Sequence, residues 1–294
     1  MIDLMVPYWG DTGYMRETIA SILAQTDPDW RLTVIDDAYP GTEIRDHIAE
    51  IDDDRIRYLR KERNEGITEN FRSCVAAASA PLMAMPGCDD RLLPNYVEQI
   101  HEAARRHPEA SIFQPGVRLI DEHGEPSRTL ADLVKQRILR PRRHDHEVLS
   151  GEKLATSLLH GDWLYWPSLA FKTETIRATP FRDGFPIVLD LALLLDMIYD
   201  GAQLVTLRTM SFEYRRHSAS LSSDKLLDGS RFDDEREYFR IAAAQADSLG
   251  WRRAARAARL HVTSRAYAGL TVPLALRSRD VASLRALARH VLTT

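Results

Sequence analysis

The chain has 294 residues, of which 44% are hydrophobic and 28% charged, and its formal net charge at pH 7 is -4. This length suits one large α/β domain, or a core of roughly 200 residues with an appendage. The slightly acidic charge excludes general electrostatic attraction to nucleic acid. The sequence shows no secretory signal pattern and no apolar run long enough to span a bilayer. With only Cys74 and Cys88 present, we expect a cytoplasmic protein with reduced thiols.

Strand and helix patterns alternate through the first 107 residues. The predicted strands are residues 2–6, 30–35, 56–59 and 82–85, and the chain from Pro7 to Asp11 is predicted as a loop. Apolar residues then recur at helical spacing, with Thr12, Thr42 and Thr68 as predicted N-caps and Pro94 in a first helical turn. Short alternating units predict a mainly parallel sheet with right-handed crossovers.

The second half of the chain mixes strands, helices and one charged segment. The predicted strands are residues 111–114, 117–120, 169–172, 204–207 and 210–214, and the predicted helices are residues 152–159 and 190–199. Residues 121–149 are charged and weakly periodic, so we predict a mobile or loosely helical surface segment. From residue 230 onward the pattern is helical, with later helices at 251–268 and 281–291.

Three polar clusters follow predicted strands. They are Asp36-Asp37, the segment from Asn64 to Asn70, and Asp89-Asp90. The carboxyl ends of parallel strands lie at the same edge of a sheet, and ligands of open α/β sheets bind there. The sequence therefore predicts the functional site at this edge.

Four sequence blocks in this order carry a family resemblance. They are Val6-Pro7-Tyr8-Trp9, Val34-Ile35-Asp36-Asp37, Asn64 to Asn70, and Gly87-Cys88-Asp89-Asp90. The later blocks Asp190-Leu191, Tyr214 to His217 and Ser220 to Ser222 are similar too. The chain resembles the inverting, nucleotide-sugar-dependent glycosyltransferases of family 2, which have the GT-A fold, a Rossmann-like α/β sheet flanked by helices.

The resemblance implies a domain organisation. It extends over residues 1–223, which implies a GT-A domain with a nucleotide-sugar-binding half at 1–120 and an acceptor half at 121–223. The remaining residues, 224–294, form a C-terminal helical region in this interpretation. The family motif is usually Asp-x-Asp, whereas Gly87 stands at its first position here, with Asp89 aligned to the second acid.

The resemblance also implies roles at the donor site. A Mg²⁺ or Mn²⁺ ion that neutralises the leaving diphosphate would be held by Asp89, with His217 completing its coordination. The residues that would bind the nucleotide or donor sugar are Pro7, Tyr8, Asp36, Asn64, Asn70, Asp90 and Arg216. Ordinary structural roles remain as alternatives: Asp90 as a helix cap, Asp36 as a turn acid, residues 64–66 as a simple turn, and His217 as a surface residue.

The acceptor side needs a general base. An inverting transfer requires a group that takes the proton of the attacking hydroxyl, and by resemblance Asp190 is that base, with Asp162 in reserve. Relatives often carry Glu-Asp slightly earlier, where this chain has Ile187-Val188. The alternative for Asp190 is an acid favoured by the helix dipole.

For an aromatic cluster and an arginine-rich segment, two interpretations remain open. The aromatic residues Trp163, Tyr165 and Trp166 either stack on a sugar ring or belong to the core. Residues 251–290 hold nine arginines and one acid, Asp280. These arginines are either solvated helix faces or a contact for an anionic acceptor or for a membrane surface, which would make the protein peripheral there.

The resemblance predicts an enzyme that moves a sugar from a UDP-type or dTDP-type donor to a hydroxyl with inversion, assisted by a metal. The acceptor would be a small molecule, a glycan or a lipid-linked sugar. One alternative is a non-catalytic module that still binds nucleotide sugars. The other is a sugar-phosphate nucleotidyltransferase, but the loop from Pro7 to Asp11 has one glycine and no basic residue, unlike a glycine-rich phosphate loop.

Overall fold

The computed structural model describes residues 1–127, 145–216 and 230–265. The strands in this part of the chain are β1 (Ile2–Tyr8), β2 (Trp30–Asp36), β3 (Ile56–Arg60), β4 (Leu82–Ala84), β5 (Arg91–Leu92), β6 (Ile112–Ile120), β7 (Glu147–Leu149), β8 (Ala170–Lys172) and β9 (Leu204–Arg215). The helices are α1 (Thr12–Leu23), α2 (Glu43–Ile51), α3 (Ile67–Ala77), α4 (Tyr96–Arg106), α5 (Gly151–His160), α6 (Thr173–Ala178), α7 (Leu189–Tyr199), α8 (Ser230–Ser248) and α9 (Arg252–Leu260). A short 3₁₀ helix spans Trp166–Ser168.

The strands form one sheet in the order β3-β2-β1-β4-β8-β6-β9-β5, and β7 also pairs with β9. The four N-terminal strands are parallel, as the alternating pattern predicts. The rest of the sheet is mixed, because β8 runs antiparallel to β4 and β6, and both β5 and β7 run antiparallel to β9. The α/β fold class with a helical C-terminal part is confirmed.

Strand β1 is longer than predicted. It continues through Pro7 and Tyr8, which pair with Ile35 and Asp36 of β2, so the loop begins at Trp9. Proline is tolerated here because β4 pairs only with Ile2, Asp3 and Leu4, so at Pro7 the strand is bonded to β2 on one side only. The strand thus carries the Tyr8 side chain into the core, where it is 1% exposed.

The caps of two helices differ from the predicted ones. Asp11, rather than Thr12, caps α1, because its Oδ1 accepts a hydrogen bond from Tyr14 N at 3.0 Å. Gly66, rather than Thr68, precedes α3 and has a φ of 85°, a conformation that glycine adopts without strain. Helix α4 begins at Tyr96, so Pro94 lies before its first turn.

Two pairs of predicted strands are single long strands. The predicted strands 111–114 and 117–120 fall on β6, which begins at Ile112, and the predicted strands 204–207 and 210–214 belong to β9. The two strands pair in parallel, with register shifts around Gly116. A Cβ at Gly116 would lie 2.5 Å from the carbonyl oxygen of Thr209, so only glycine allows this close approach.

The sheet separates two hydrophobic clusters. Alternate residues of β1 enter different clusters, with Ile2, Leu4 and Val6 on one side and Met5 on the other. Helices α8 and α9 belong to the second cluster: their buried residues, among them Ala242, pack in the same core as α5 and α7. Helices α8 and α9 are therefore part of this core.

The aromatic segment before β8 also belongs to the core. Trp163, Tyr165 and Trp166 are 2%, 6% and 6% exposed. The Trp163 indole donates a hydrogen bond to Ser157 Oγ at 3.0 Å, and the Trp166 ring stacks on Phe71 with centroids 5.8 Å apart. The core interpretation therefore replaces stacking on a sugar.

Several predicted features lie outside the described residues. They include most of the charged segment at 121–149, the boundary at 223/224, His217, and the helix at 281–291. Among the residues described, none of the helices has the length and apolar character needed to cross a membrane.

Asp3 at the start of β1 gives a test of what holds the sheet together. Its buried carboxylate accepts hydrogen bonds from Ser79 N at 2.6 Å and Ala80 N at 2.7 Å, and also pairs with Arg31. Asp3→Ala leaves two backbone donors unsatisfied, so we expect a loss of about 2–4 kcal/mol in urea unfolding. Arg31→Ala keeps those two bonds and should cost less than about 1 kcal/mol. Equal losses in the two variants would contradict this assignment.

Candidate active site

The first two predicted clusters meet at the carboxyl ends of β1 and β2. Asp37 N donates a hydrogen bond to the carbonyl oxygen of Tyr8 at 3.1 Å. The Asp37 carboxylate accepts hydrogen bonds from Glu65 N at 3.0 Å and Gly66 N at 2.8 Å. Asp37 therefore joins the end of β2 to the segment from Asn64 to Asn70.

The acid loop after β4 lies against the same edge. A Cβ at Gly10 would lie 2.9 Å from Cys88 Sγ, so the loop after β1 packs directly on the residue before Asp89. Burial raises the pKa of the Tyr8 hydroxyl, and the neighbouring Cys88 and Asp36 raise it further. The structure thus places Asp36 and Asp89 at one edge of the sheet, separated by Tyr8 and Cys88.

Asp36 is held by protein donors. Its side chain is 1% exposed, and Oδ1 accepts a hydrogen bond from Tyr39 N at 2.7 Å. Oδ2 accepts from the Tyr58 hydroxyl and from Arg60 Nη1, the latter at 3.2 Å. The contact of Asp36 with a nucleoside therefore stays a prediction. Sequence reasoning missed its three partners, because they follow it in separate segments.

An aromatic surface lies beside Asp36. The Tyr39 ring packs on Tyr8 and Trp9, with centroids 5.1 Å and 5.6 Å apart. Tyr8 and Pro7 are buried within β1, whereas Trp9 is 49% exposed. The contact of Pro7 and Tyr8 with a base stays a prediction, while an exposed face for a flat heterocycle is offered by Trp9 and by the half-buried Tyr39.

The two predicted asparagines have different surroundings. Asn64 is exposed, and its Oδ1 accepts a hydrogen bond from Gly66 N at 3.1 Å within the turn. Asn70 is 2% exposed, and its Nδ2 donates to the carbonyl oxygen of Ile35 at 3.1 Å. Donor binding stays a prediction for Asn64. It stays a prediction for Asn70 too, although the Nδ2 of this buried amide joins α3 to the end of β2.

Asp90 lies beneath the edge of the site. It is 1% exposed, and its Oδ1 accepts a hydrogen bond from Arg215 N at 2.9 Å. This contact with β9 replaces the alternative role as a helix cap. Burial raises the pKa of Asp90 well above its usual value, and the charge of Asp89 raises it further. Asp89 itself is half-buried, closer to the surface.

The two carboxylates converge above Gly87. A Cβ at Gly87 would lie 2.7 Å from Asp89 Oδ1 and 2.6 Å from Asp90 Oδ2, and the latter is buried without a hydrogen-bond partner among the described residues. Two hard oxygen donors fit the way Mg²⁺ is bound by one or two carboxylates together with phosphates. The described residues contain no group of three His, Cys, Asp or Glu side chains that could hold an ion alone.

Restoring the usual first acid of the motif is expected to weaken the site. Gly87→Asp would place a side chain where the carboxylates of Asp89 and Asp90 converge, and Asp90 is fixed by Arg215. We expect metal-dependent nucleotide affinity to fall by about tenfold or more, which is 1.4 kcal/mol or more, as calorimetry would show. Ala49→Asp, which adds an acid at an exposed position in α2, is the control. Stronger metal binding by Gly87→Asp would contradict the crowding argument.

Tyr214 at the end of β9 connects the acid loop with the predicted base. Burial raises the pKa of the Tyr214 hydroxyl, and Arg216 opposes this shift. The carboxylates that raise it further are Asp90, Asp89 and Asp190. The structure therefore brings Asp190 into the same electrostatic environment as the acid loop. The guanidinium of Arg216 lies over the Tyr214 ring, 5.1 Å from its centroid, at this edge.

The two candidate bases both lie at turns. Asp190 is half-buried in the first turn of α7, and its Oδ1 accepts a hydrogen bond from Leu191 N at 2.8 Å. Asp162 is half-buried in the loop before Trp163, and its Oδ1 accepts from Leu164 N at 3.0 Å. Asp190 shares with the acid loop its effect on the pKa of Tyr214, and the role as base stays a prediction for both Asp190 and Asp162.

Comparison with known proteins places these features in a family. The family model described as Glycosyl transferase family 2 matches residues 3–155, just over half of the chain. An uncharacterised glycosyltransferase of Rickettsia typhi is 30% identical over 175 residues, which are 58% of this chain and 52% of that protein. One of Rickettsia felis is 28% identical over 129 residues, which are 44% of this chain and 21% of that protein. The chain thus spans about a fifth to a half of the length of these curated relatives.

Solved structures with the same fold include Staphylococcus aureus TarS residues 1–349 in complex with UDP-GlcNAc. The TM-score is 0.72 at 11% sequence identity, with 99% of this chain and 81% of that chain covered. At this identity the likeness shows the fold, which is the GT-A fold of TarS. The match to the family model over more than half of the chain shows more: the chain belongs to glycosyl transferase family 2.

Proposed function

We propose that this protein transfers a sugar from a UDP-type or dTDP-type donor to an acceptor hydroxyl, with inversion and with the assistance of Mg²⁺ or Mn²⁺. The observation that carries the proposal is the convergence of Asp89 and Asp90 above Gly87, at the edge where Asp36 also lies. The complex of TarS with UDP-GlcNAc supports a uridine donor, since that protein shares the fold.

The acid loop is assigned to the diphosphate end of the donor. When bound there, the metal ion neutralises the charge that develops on the leaving diphosphate. Asp89 would be its ligand, and Asp90 would assist it or accept a hydrogen bond from a sugar hydroxyl. Arg216 and His217 follow β9 directly and would pair with phosphate oxygens or, for His217, complete the coordination.

The nucleoside is assigned to the edge formed by β1 and β2. The Trp9 and Tyr39 rings would contact the base, and Asn64 in the following turn would contact the nucleotide. Asp36 is oriented by Tyr39 N and Arg60, so its carboxylate is prepared to accept hydrogen bonds from the base or ribose with little reorganisation.

Asp190 is assigned as the general base. Its carboxylate would take the proton from the acceptor hydroxyl while that oxygen attacks the anomeric carbon. The leaving diphosphate lies on the opposite face of the sugar, so a single displacement inverts the configuration. Asp162 is the alternative base.

The proposal is tested by titrating UDP and dTDP with and without Mn²⁺ in a calorimeter, followed by donor hydrolysis and transfer assays. Metal-dependent nucleotide binding together with release of UDP or dTDP from the sugar nucleotide is the expected result. Binding without turnover over a broad panel of donors and acceptors would favour the non-catalytic module. The observations in favour of that module are Gly87 and the Ile187-Val188 pair, which stand where relatives often have acids.

A further inference from the structure

We propose that Arg215 is the positioning residue of the acid loop: its backbone N–H holds Asp90, and its guanidinium holds the backbone of Asp89, in the pose that receives the metal and the diphosphate. The significance of the pose rests on the proposed function, whereas the positioning itself is a property of the fold and can be measured separately.

Arg215 makes two contacts with the acid loop. Its backbone N–H donates to Asp90 Oδ1 at 2.9 Å, and its Nε donates to the carbonyl oxygen of Asp89 at 2.7 Å. One residue therefore binds one acid through its carboxylate and the other through its backbone. The orientation of the Asp89 carboxylate follows from the backbone orientation that this second bond sets.

The rest of the guanidinium is fixed to other segments. Nη2 bonds to Glu17 Oε2 on α1 at 2.5 Å, and Nη1 lies 3.4 Å from the carbonyl oxygen of Asp121 and 3.3 Å from that of Glu122. The guanidinium carbon lies 4.4 Å from the centroid of the Tyr14 ring. These contacts come from α1 and from the turn after β6, so the arginine is held from two sides.

Burial makes this arrangement specific to arginine. The Arg215 side chain is 0% exposed, so every donor must find its partner within the protein. The planar guanidinium presents five donors in fixed directions and so serves Asp89, Glu17 and the turn at once. A lysine ammonium is a single point of charge and can reach only part of this set.

Arg91 provides a matched control. It also bonds to Glu17 Oε2, through Nε at 2.8 Å and Nη2 at 2.6 Å. Its other ionic partner is Glu213, with Nη1 3.8 Å from Oε2. Arg91 and Arg215 thus share one carboxylate, but the bonds to the acid loop described above belong to Arg215. Lysine substitution at either arginine alters the contact with Glu17, whereas the substitution at Arg215 also alters the bond to the acid loop. Comparing the two variants therefore isolates the effect of the bond to the loop.

The two cysteines provide a readout that requires neither metal nor turnover. Cys88 lies within the acid loop, beside Asp89, and Cys74 is buried in α3 at 0% exposure. Both are free thiols. If Arg215 holds the loop, Arg215→Lys should increase the rate of Cys88 alkylation by N-ethylmaleimide about tenfold, while Cys74 remains protected. Mass spectrometry of the two peptides distinguishes these sites.

The expected result is faster Cys88 alkylation in Arg215→Lys, with an unchanged Cys88 rate in Arg91→Lys and with Cys74 protected in both variants. An unchanged Cys88 rate in Arg215→Lys would overturn the proposal. Parallel increases at Cys88 and Cys74 would also overturn it, because they would indicate general loosening of the fold instead of a change in the loop.

Calorimetric titration of UDP in the presence of Mn²⁺ tests the link to the donor. Arg215→Lys should bind about tenfold more weakly than Arg91→Lys. If the loop opens but the affinities are equal, the loop does not receive the diphosphate and the functional part of the proposal is wrong. If the wild-type protein itself shows no metal-dependent binding, the proposed function fails, while the alkylation result still decides the positioning role.

Discussion

Replacing Asp89 by alanine is expected to abolish metal-dependent UDP binding and to lower turnover by about 10²–10³-fold, since a metal contributes several kcal/mol of charge stabilisation at a leaving diphosphate. Asp89 is the more accessible of the two acids that converge above Gly87, and the buried Asp90 is already bonded to Arg215. Removing Asp89 therefore leaves the site without its accessible carboxylate. Calorimetric titrations of UDP with and without Mn²⁺ measure the effect.

Two further variants sharpen this experiment. Asp89→Asn retains the shape of the side chain and removes its charge, so it should lose most of the metal dependence as well. Asp54→Ala removes an exposed acid from the turn before β3 and should bind UDP like the wild type. If Asp89→Ala retained the full metal-dependent affinity, Asp89 would not belong to the metal site.

Replacing Asp190 by asparagine is expected to leave donor binding nearly unchanged and to lower the transfer rate by about 10²–10⁴-fold, the range of general base catalysis. The amide preserves the size of the side chain and can still accept a hydrogen bond from Leu191 N, as the carboxylate does. It cannot take a proton from an acceptor hydroxyl. Calorimetry with UDP and a transfer assay at saturating donor measure the two quantities.

The comparison with Asp162→Asn decides between the two candidate bases. Asp162 has the same kind of local hydrogen bond, to Leu164 N, so the substitution disturbs the backbone to a similar degree. We expect it to leave transfer within about twofold of the wild type. Full turnover in Asp190→Asn, with a large loss in Asp162→Asn, would assign the base to Asp162.

The N-terminal half of the fold could be predicted from the sequence because its determinants are local. Each parallel strand is a short apolar run, and each following helix has an apolar stripe, as at Met15, Ile19 and Ile22, all of which are buried. The acid clusters could be recognised as candidate site residues because each of them directly follows a predicted strand. Where they would meet required only the rule that parallel strands share an edge.

The second half was less predictable because its strands depend on distant partners. Strands β6 and β9 each resemble two short strands, since Gly116 and Thr209 look like turn positions in sequence. They are continuous because the two backbones approach each other there. The local sequence gives no indication that two segments about 90 residues apart approach each other so closely.

The contacts of individual polar residues were also difficult to predict, because they depend on other segments of the chain. Asp36 looked accessible at a strand end, but Tyr39 N, the Tyr58 hydroxyl and Arg60 hold it. Arg216 was assigned to the donor, whereas Arg215 beside it is buried and contacts the acid loop. A signal was available for this difference: along β9 side chains alternate between faces, so neighbouring arginines at its end could not both face a ligand.

The position of β9 within the sheet has a consequence for biosynthesis. This strand comes last in the sheet's chain order among the described residues, yet it lies between β6 and β5. Glu17 and Arg215 are separated by 198 positions in the sequence. A ribosome translates a segment of this length in roughly 10–40 s at 5–20 residues per second. During that interval the nascent acid loop lacks its anchor and β6 lacks its neighbour. The polypeptide can therefore complete the contacts of its acid loop only after this strand has emerged from the exit tunnel and inserted into the sheet.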